Sequence, residues 1–369
     1  MRSAAFLSYL SLCLTLFPVH SWAMASRPPV EPTAPAFPKA GVWLNSRPLD
    51  KTFFEKKVTL VYFWDYTSLN CLRDLVFLKH WHEAYHANGF QILLIHAPEF
   101  PFAREKQNVE KALERYKIHE PVFLDNDFTL WTAYKIYAWP SKVLVDSKGV
   151  VRLVQAGEGQ YVDTEQKIRK ELFRMNPDAK LPEPVVSDEP AEYDSEVCGS
   201  MTAETYIGYK RAHWWGGEVA NRNWTKPDET TVFKDRGDRV QRGFFLHGLW
   251  KNGEDHFEHA RQTKELKDYL GLLYYGNQIF AVLQSSNPAP KRRVYITRDD
   301  APVPLEKWGT DVKEDDLGTY VEIDAPRLYQ FIQNEDEEQH EIKLWAKDLG
   351  VSINSFSFSN SCLSQIEFL

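Results

Sequence analysis

The residues with the clearest chemical potential are Ser68 and Cys71, which stand three positions apart where a strand is predicted to lead into a helix. Two cysteines at this spacing form a dithiol, whose first thiol is acidified by the helix N-terminus and attacks a disulfide as a thiolate. Serine has no comparable ionisation and forms no mixed disulfide. It is instead a preferred N-cap residue. The pattern therefore predicts a redox site that has lost its attacking sulfur.

The elements that position this joint follow from the apolar pattern. The run Val58–Trp64 is β-branched and aromatic, as in a buried strand, and apolar residues from Leu72 to Trp81 then recur at helical spacing. Further strands are predicted at 91–96, 121–124, 142–146 and 150–155, and further helices at 108–117, 129–135 and 164–175. This alternation indicates an α/β sheet.

Six short motifs lie along the same region: Phe63-Trp64, Asn70-Cys71-Leu72-Arg73, His96-Ala97-Pro98-Glu99-Phe100, Leu124-Asp125-Asn126-Asp127, Trp139-Pro140-Ser141-Lys142 and Gly157-Glu158-Gly159. From about Gly41 onward the chain resembles the secreted thioredoxin-like part of the DipZ family, within the wider TlpA and redoxin group. In that family the tetrapeptide reads Cys-Ile-Asn-Cys, so Ser68 departs from it where chemistry is expected. The resemblance implies an α/β thioredoxin fold followed by an all-β jelly-roll sandwich.

The resemblance also implies roles for residues near the joint. Cys71 takes the place of the second cysteine and is either an inert core thiol or a monothiol that forms a mixed disulfide. Trp139-Pro140 matches a cis-proline that shapes a peptide-binding groove, and Trp64 is expected in the groove wall. Glu99 matches a carboxylate that either moves a proton to or from sulfur or is simply solvated.

A second motif suggests different chemistry. The segment His82-Glu83-Ala84-Tyr85-His86 satisfies the H-E-x-x-H pattern of zinc metalloproteases. It falls on the first predicted helix, however, and no extended metzincin pattern follows it. We interpret the two histidines as surface residues and predict neither a metal nor a cofactor.

The N-terminal residues 1–25 resemble a secretory signal. Arg2 supplies the positive start, the stretch from Ala4 to Val19 is largely apolar, and Ala23-Met24-Ala25 is a cleavage pattern. An uncleaved anchor is the alternative. We expect an exported protein, periplasmic or secreted, in an oxidising compartment.

The composition divides the rest of the chain into four parts. A proline-rich leader covers 26–40 and a thioredoxin-like domain 41–176. An acidic, proline-rich linker covers 177–204, and a β-sandwich domain resembling a carbohydrate-binding module covers 205–369.

The cysteine count leaves one thiol unmatched. Once Cys13 is removed with the signal, Cys71, Cys198 and Cys362 remain. Because domain ends often lie close together, Cys198 and Cys362 are candidates for a structural disulfide. Cys71 would then be alone.

The C-terminal part has short strand-like runs at 278–283, 294–297, 319–323, 340–345 and 351–358. Such spacing suggests a β-sandwich, and the change of inward parity between Ile353 and Phe356 predicts a bulge or a twist in that strand. Its aromatic residues either bind sugar or a protein partner or fill the core: Trp214-Trp215, Trp250, Tyr274-Tyr275, Trp308 and Trp345. The segment His247–Trp250 is interpreted as a loop, and Trp345 is expected in the core.

Two hypotheses follow for function. The net charge of -8 argues against nucleic acid and anionic membranes as partners. The first hypothesis is an exported thiol–disulfide oxidoreductase relative that has lost dithiol exchange, retains a monothiol role for Cys71, and meets protein thiols or disulfides and a membrane electron donor. The alternative is a non-catalytic periplasmic protein that binds peptides in the thioredoxin groove and a glycan or protein on the sandwich. A monomer is the default expectation.

Overall fold

A six-stranded mixed sheet forms the first half of the protein. The computed structural model describes residues 32–186, 200–212, 217–221, 226–286, 291–333, 335–336 and 338–360. The strands of this sheet are β1 (Val42–Leu44), β2 (Val58–Trp64), β3 (Phe90–His96), β4 (Val122–Leu124), β5 (Ser141–Val145) and β6 (Val151–Ala156). They lie in the order β1-β4-β3-β2-β5-β6. The sequence missed β1, because a three-residue edge strand carries little pattern.

Four helices cover the two faces of this sheet: α1 (Leu69–Tyr85), α2 (Lys106–Arg115), α3 (Thr129–Ala133) and α4 (Tyr161–Met175). Apolar residues of α1, α2 and α4 pack on one face, and those of α3 pack on the other. The parallel pairs β2–β3 and β3–β4 are buried, as the nearly continuous apolar sequences of β2 and β3 require. The α/β prediction is confirmed.

The segment after α4 is anchored to the first domain. The backbone N–H groups of Val185 and Val186 donate to the two oxygens of Glu165 at 2.7 and 2.8 Å. Val186 also joins the apolar core of that domain. Residues 177–186 of the predicted linker therefore pack on the thioredoxin domain.

The described residues of the second half form fourteen strands. They are β7 (Thr205–Tyr206), β8 (Glu218–Val219), β9 (Thr230–Phe233), β10 (Gly243–Asn252), β11 (Phe257–His259), β12 (Asp268–Tyr274), β13 (Gln278–Ser285), β14 (Arg292–Arg298), β15 (Ala301–Pro302), β16 (Val312–Asp315), β17 (Gly318–Ile323), β18 (Arg327–Ile332), β19 (His340–Ala346) and β20 (Val351–Ser359). The outer layer contains β16, β17, β14, β19 and β12, and the inner layer contains β11, β20, β13 and β18. A common apolar core fills the space between them. The all-β sandwich is confirmed.

Strand β10 passes from one layer to the other. Phe245 to His247 pair with β12, whereas Gly248 to Lys251 pair with β9. Gly248 has φ +98°, and a Cβ there would lie 2.1 Å from the Asp268 side chain. The interpretation of His247–Trp250 as a loop is therefore wrong, because a glycine that bends a strand resembles a turn in sequence.

The predicted bulge lies in β20. Val282 pairs with Ser355 and Leu283 with Ile353, so Asn354 is the extra residue. Beyond it Phe356 and Phe358 return to the sandwich core. This prediction is confirmed.

The inner layer packs against the thioredoxin domain. Phe280, Val282 and Leu328, together with Tyr206 of β7, join the apolar cluster that contains α1 and α2. Both faces of β20 are consequently buried, including its serines. The two sheets belong to one compact unit.

Candidate functional site

The joint between β2 and α1 is organised by Asp65. Its Oδ1 accepts hydrogen bonds from the N–H of Thr67, at 2.6 Å, and from the Thr67 hydroxyl. Its Oδ2 accepts from the N–H of Glu99 at 2.8 Å. Asp65 therefore ties the loop before α1 to the loop after β3, and burial raises its pKa.

Ser68 is the N-cap of α1, as predicted. Its hydroxyl accepts a hydrogen bond from the N–H of Cys71 at 3.5 Å. Cys71 is fully buried and is free of any disulfide. Burial raises the pKa of its thiol well above the usual value, although hydrogen bonds from Ser68 and the Asp65 backbone act in the opposite sense. Since only the thiolate is nucleophilic, this environment disfavours the nucleophilic form of Cys71.

His96 lies beside the joint as a neutral ring. It is fully buried, and burial lowers its pKa to about 3. Its Nε2 is 3.5 Å from Asp65 Oδ2, without hydrogen-bond geometry. The Tyr66 ring stacks on it, with centroids 5.5 Å apart and planes at 15°.

The Trp139–Pro140 peptide bond is cis, as expected. Trp139 is half-buried, donates from Nε1 to the carbonyl of Ala97 at 2.9 Å, and packs on Trp131 with ring centroids 4.4 Å apart. Trp64 is fully buried in the core, whereas the sequence analysis expected it in a groove wall. Its position is set by the two-sided burial of β2.

The Glu99 carboxylate points to the second domain. Its Oε1 accepts hydrogen bonds from the Tyr206 hydroxyl at 2.5 Å and from the Arg211 guanidinium at 2.6 Å. The Tyr206 hydroxyl is also 3.0 Å from Glu204 Oε2. The single hydroxyl proton of Tyr206 cannot be donated to both carboxylates. Burial, together with the nearby Glu99 carboxylate, raises the pKa of Glu204 to about 7. Protonation of one carboxyl group satisfies this network.

Sequence reasoning missed a buried ion-pair cluster one turn into α1. Arg73 makes a two-pronged contact with Glu158, from Nε at 2.7 Å and from Nη2 at 2.6 Å, and Nη2 also donates to Asn70 Oδ1 at 2.6 Å. Lys142 Nζ donates to Asp74 Oδ2 at 2.6 Å, and both side chains are fully buried. Burial raises the pKa of Asp74 to about 6 against the effect of Lys142.

This ion-pair cluster, formed by Arg73, Asp74, Lys142 and Glu158, had a signal in the sequence. The residues fall within three of the motifs that carried the family resemblance, or directly beside them. The pairings join positions 85 and 68 residues apart, however. Motif matches alone do not show that such residues contact one another.

The predicted H-E-x-x-H segment does not gather ligands. His82 Nδ1 is 3.3 Å from Glu120 Oε1 on the surface, and the rings of His82 and His86 are 5.6 Å apart. Within the described ranges, the ligand atoms that do converge are those of Glu335, Asp336 and His340. Glu335 is already paired with Arg298 and Lys307, so this group is a satisfied ion-pair cluster.

The aromatic candidates of the sandwich divide between core and surface. Trp250 and Tyr274 are buried in the core, and Trp308 packs at its edge. Trp345 is partly exposed on the outer layer, so its predicted core position is wrong: in β19 the alternation buries Ile342 and Leu344 instead. Trp214-Trp215 and the predicted disulfide partners Cys198 and Cys362 lie outside the described residues, as does the predicted signal.

The outer layer carries an aromatic row that the sequence did not reveal. In register across neighbouring strands, His247 pairs with Tyr269, Tyr269 with Trp345, Trp345 with Tyr295, and Tyr295 with Tyr320. Ring centroids are 5.3 Å apart for His247 and Tyr269 and 4.5 Å apart for Tyr269 and Trp345. These three side chains are partly exposed.

Comparisons with known proteins agree with this architecture. Residues 29–172 match the Redoxin family model, and residues 202–359 match the model of a thioredoxin-like C-terminal domain. Protein DipZ of Mycobacterium tuberculosis is 29% identical over 277 residues, which cover 74% of this chain and 37% of DipZ. The chain is therefore a thioredoxin-like protein related to DipZ. It spans only 37% of the length of that relative.

Other known proteins match a smaller share of the chain. The thiol-disulfide oxidoreductase ResA of Geobacillus thermodenitrificans is 26% identical over 145 residues, covering 39% of this DipZ-related chain and 77% of ResA. The crystal structure of a putative thiol:disulfide interchange protein DsbE from Chlorobium tepidum is 20% identical, with a TM-score of 0.35, and covers 38% of this chain and 96% of that one. In the described part of the chain no helix has the length and apolar character needed to cross a bilayer.

Proposed function

We propose that this chain is an exported, thioredoxin-like protein of thiol–disulfide oxidoreductase ancestry that has lost dithiol exchange and acts as a non-catalytic binding protein. The observation that carries the proposal is the state of Cys71. It is fully buried, and its thiol is held neutral beside a serine that cannot attack a disulfide. A monothiol reaction needs an accessible thiolate, so the alternative monothiol role has less support.

Thiol reactivity and turnover test this proposal together. The purified protein should not reduce insulin disulfides, and Ellman's reagent should detect no native thiol at position 71. After denaturation without reductant, one reactive thiol per chain would support the Cys198–Cys362 disulfide with Cys71 free. Three would exclude that disulfide.

Two variants make the test sharper. Ser68→Cys restores the Cys-x-x-Cys spacing and should introduce insulin reduction, because the cis-proline and the helix start are retained. Cys71→Ser is the matched control and should behave like the unmodified protein. Robust insulin reduction by the unmodified protein, lost in Cys71→Ser, would contradict the proposal.

The outer aromatic row supports glycan binding as the role of the sandwich. Partly exposed rings in register offer a stacking surface, and charged residues border it: Lys343 lies 5.3 Å from the centre of the Tyr269 ring, and Tyr269 donates to Asp235 at 2.9 Å. A glycan array should give binding that Trp345→Ala abolishes. Tyr137→Ala, which removes an aromatic side chain 78% exposed on the other domain, is the control. Binding unaffected by Trp345→Ala would exclude this surface.

A further inference from the structure

A cleft of about 400 Å³ lies between the two domains. Tyr66, Lys111 and Arg115 line it from the thioredoxin domain, and the turn Asp324–Arg327 lines it from the sandwich. Ligand sites occur preferentially at domain interfaces and have volumes of roughly 300–1,000 Å³. The volume and position of this interdomain cleft are thus suited to a small molecule.

One buried polar group in the cleft has no partner. Tyr66 is 1% exposed, and its hydroxyl forms no hydrogen bond within the described residues. The stack on His96 fixes the direction of the phenol ring. Buried polar groups are nearly always satisfied, so an orphaned hydroxyl in a cleft calls for a partner. A ligand oxygen or nitrogen atom would satisfy it.

The charges around the cleft are close to balanced once Asp311, which accepts a hydrogen bond from Arg327 at 2.8 Å, is included. Three cations, Lys111, Arg115 and Arg327, face two carboxylates, Glu114 and Asp324. Arg115 and Arg327 both bind Asp324, at 3.1 and 2.9 Å. Lys111 is exposed on α2 and forms no ion pair with any described residue, including Glu114 one turn away. Lys111 is therefore the cation available to a ligand.

The remaining lining is largely apolar. It includes Ala112, Ala325, Pro326 and the ring of Tyr116. We propose that the interdomain cleft binds a small organic carboxylate with an apolar body, whose anionic group meets Lys111 and whose deeper polar atom bonds to the Tyr66 hydroxyl. This site uses neither Ser68 nor Cys71, so it does not depend on the proposed loss of dithiol exchange.

A fluorescence titration of the full chain with dansylglycine tests the proposal. This probe has an aromatic body and one carboxylate, and dansylamide is its uncharged counterpart. We expect saturable binding of dansylglycine that is at least several-fold tighter than that of dansylamide. No saturable binding, or equal affinity for the two probes, would overturn the proposal.

Three variants locate the site. Tyr66→Phe removes only the hydroxyl and should weaken dansylglycine binding about 3- to 10-fold. Lys111→Gln should weaken it by a similar factor of about 3 to 10 and remove the preference over dansylamide. Ala325→Trp should fill the cleft and abolish binding. Lys106→Gln, on the same helix but paired with Glu110 at 2.6 Å, is the control and should change nothing.

The two conservative variants keep the test decisive if Ala325→Trp disturbs the fold. Circular dichroism and the Tm of each variant show whether it is folded. Unchanged affinity in both Tyr66→Phe and Lys111→Gln would place any dansylglycine binding outside this cleft and refute the proposal.

Discussion

Two adjacent regions at the start of α1 have opposite character. The Ser68 hydroxyl and the Cys71 N–H that it caps are neutral, and burial favours the protonated form of the Cys71 thiol. One turn further on, Arg73 and Asp74 enter the buried ion-pair cluster with Glu158 and Lys142. The first region presents a serine and a buried thiol, whereas the second holds four charged side chains in two ion pairs.

This difference shows what the family resemblance measures. Arg73 donates hydrogen bonds to both Asn70 and Glu158, and Lys142 donates to Asp74 in the neighbouring pair. These residues lie within the matching motifs, yet their contacts hold the helix start against the sheet. Similarity at these positions reports the scaffold.

Removing one charge from the cluster should give the largest effect. Lys142→Met leaves the Asp74 carboxylate buried without its cation, and such changes typically cost about 3–5 kcal/mol. We expect a loss of this size in the free energy of unfolding, measured by urea denaturation. Lys148→Met, on an exposed turn, is the matched control.

A double variant separates charge burial from packing. Lys142→Met combined with Asp74→Leu removes both charges, and replacing a buried pair by apolar residues is often close to neutral. Recovery of most of the lost stability would confirm that the cost came from the unpaired carboxylate. A loss below about 1 kcal/mol in Lys142→Met alone would show that this pair does not support the helix start.

The pH dependence of stability should also distinguish the two regions. Burial raises the pKa of Asp74 from 3.8 to about 6. Below pH 3.8 the carboxyl is protonated in folded and unfolded chains; between 3.8 and about 6 only the unfolded chain ionises, so stability falls as pH rises through this window. The contribution is about 3 kcal/mol, which is the shift from 3.8 to about 6 taken at about 1.4 kcal/mol per pH unit.

Comparison with Asp74→Asn isolates this contribution. Glu204 has a pKa of about 7, so its ionisation also lowers stability as the pH rises, but at higher pH. The measured quantity is therefore the difference in the free energy of unfolding between the unmodified protein and Asp74→Asn. That difference should change between pH 4 and 6 and stay level above pH 7. If this difference in the free energy of unfolding does not change between pH 4 and 6, the pKa of Asp74 is not raised. The Cys71 region should contribute nothing below neutral pH, because its thiol stays protonated there.

The sequence predicted those parts of the fold that depend on local pattern. The apolar runs located β2, β3 and α1, and a change of parity located the bulge at Asn354. The sequence did not predict features that depend on contacts between residues far apart in the chain. The bend at Gly248 resembled a loop because the strand changes layers there. The environment of Glu99 is set by Tyr206, 107 residues away.

The smallest effect is expected at the cap itself. Ser68→Ala removes the hydrogen bond to the Cys71 N–H and should lower the free energy of unfolding by about 0.5–1 kcal/mol, at the weak end for an N-cap because the bond is 3.5 Å long. Ser68→Gly should cost only a few tenths of a kcal/mol. Neither change should expose the thiol, because Cys71 is buried by the core as a whole. If Ser68→Ala made native Cys71 react with Ellman's reagent, the serine would be a gate for a reactive thiol, and the contrast between an inert joint and a charged scaffold would no longer hold.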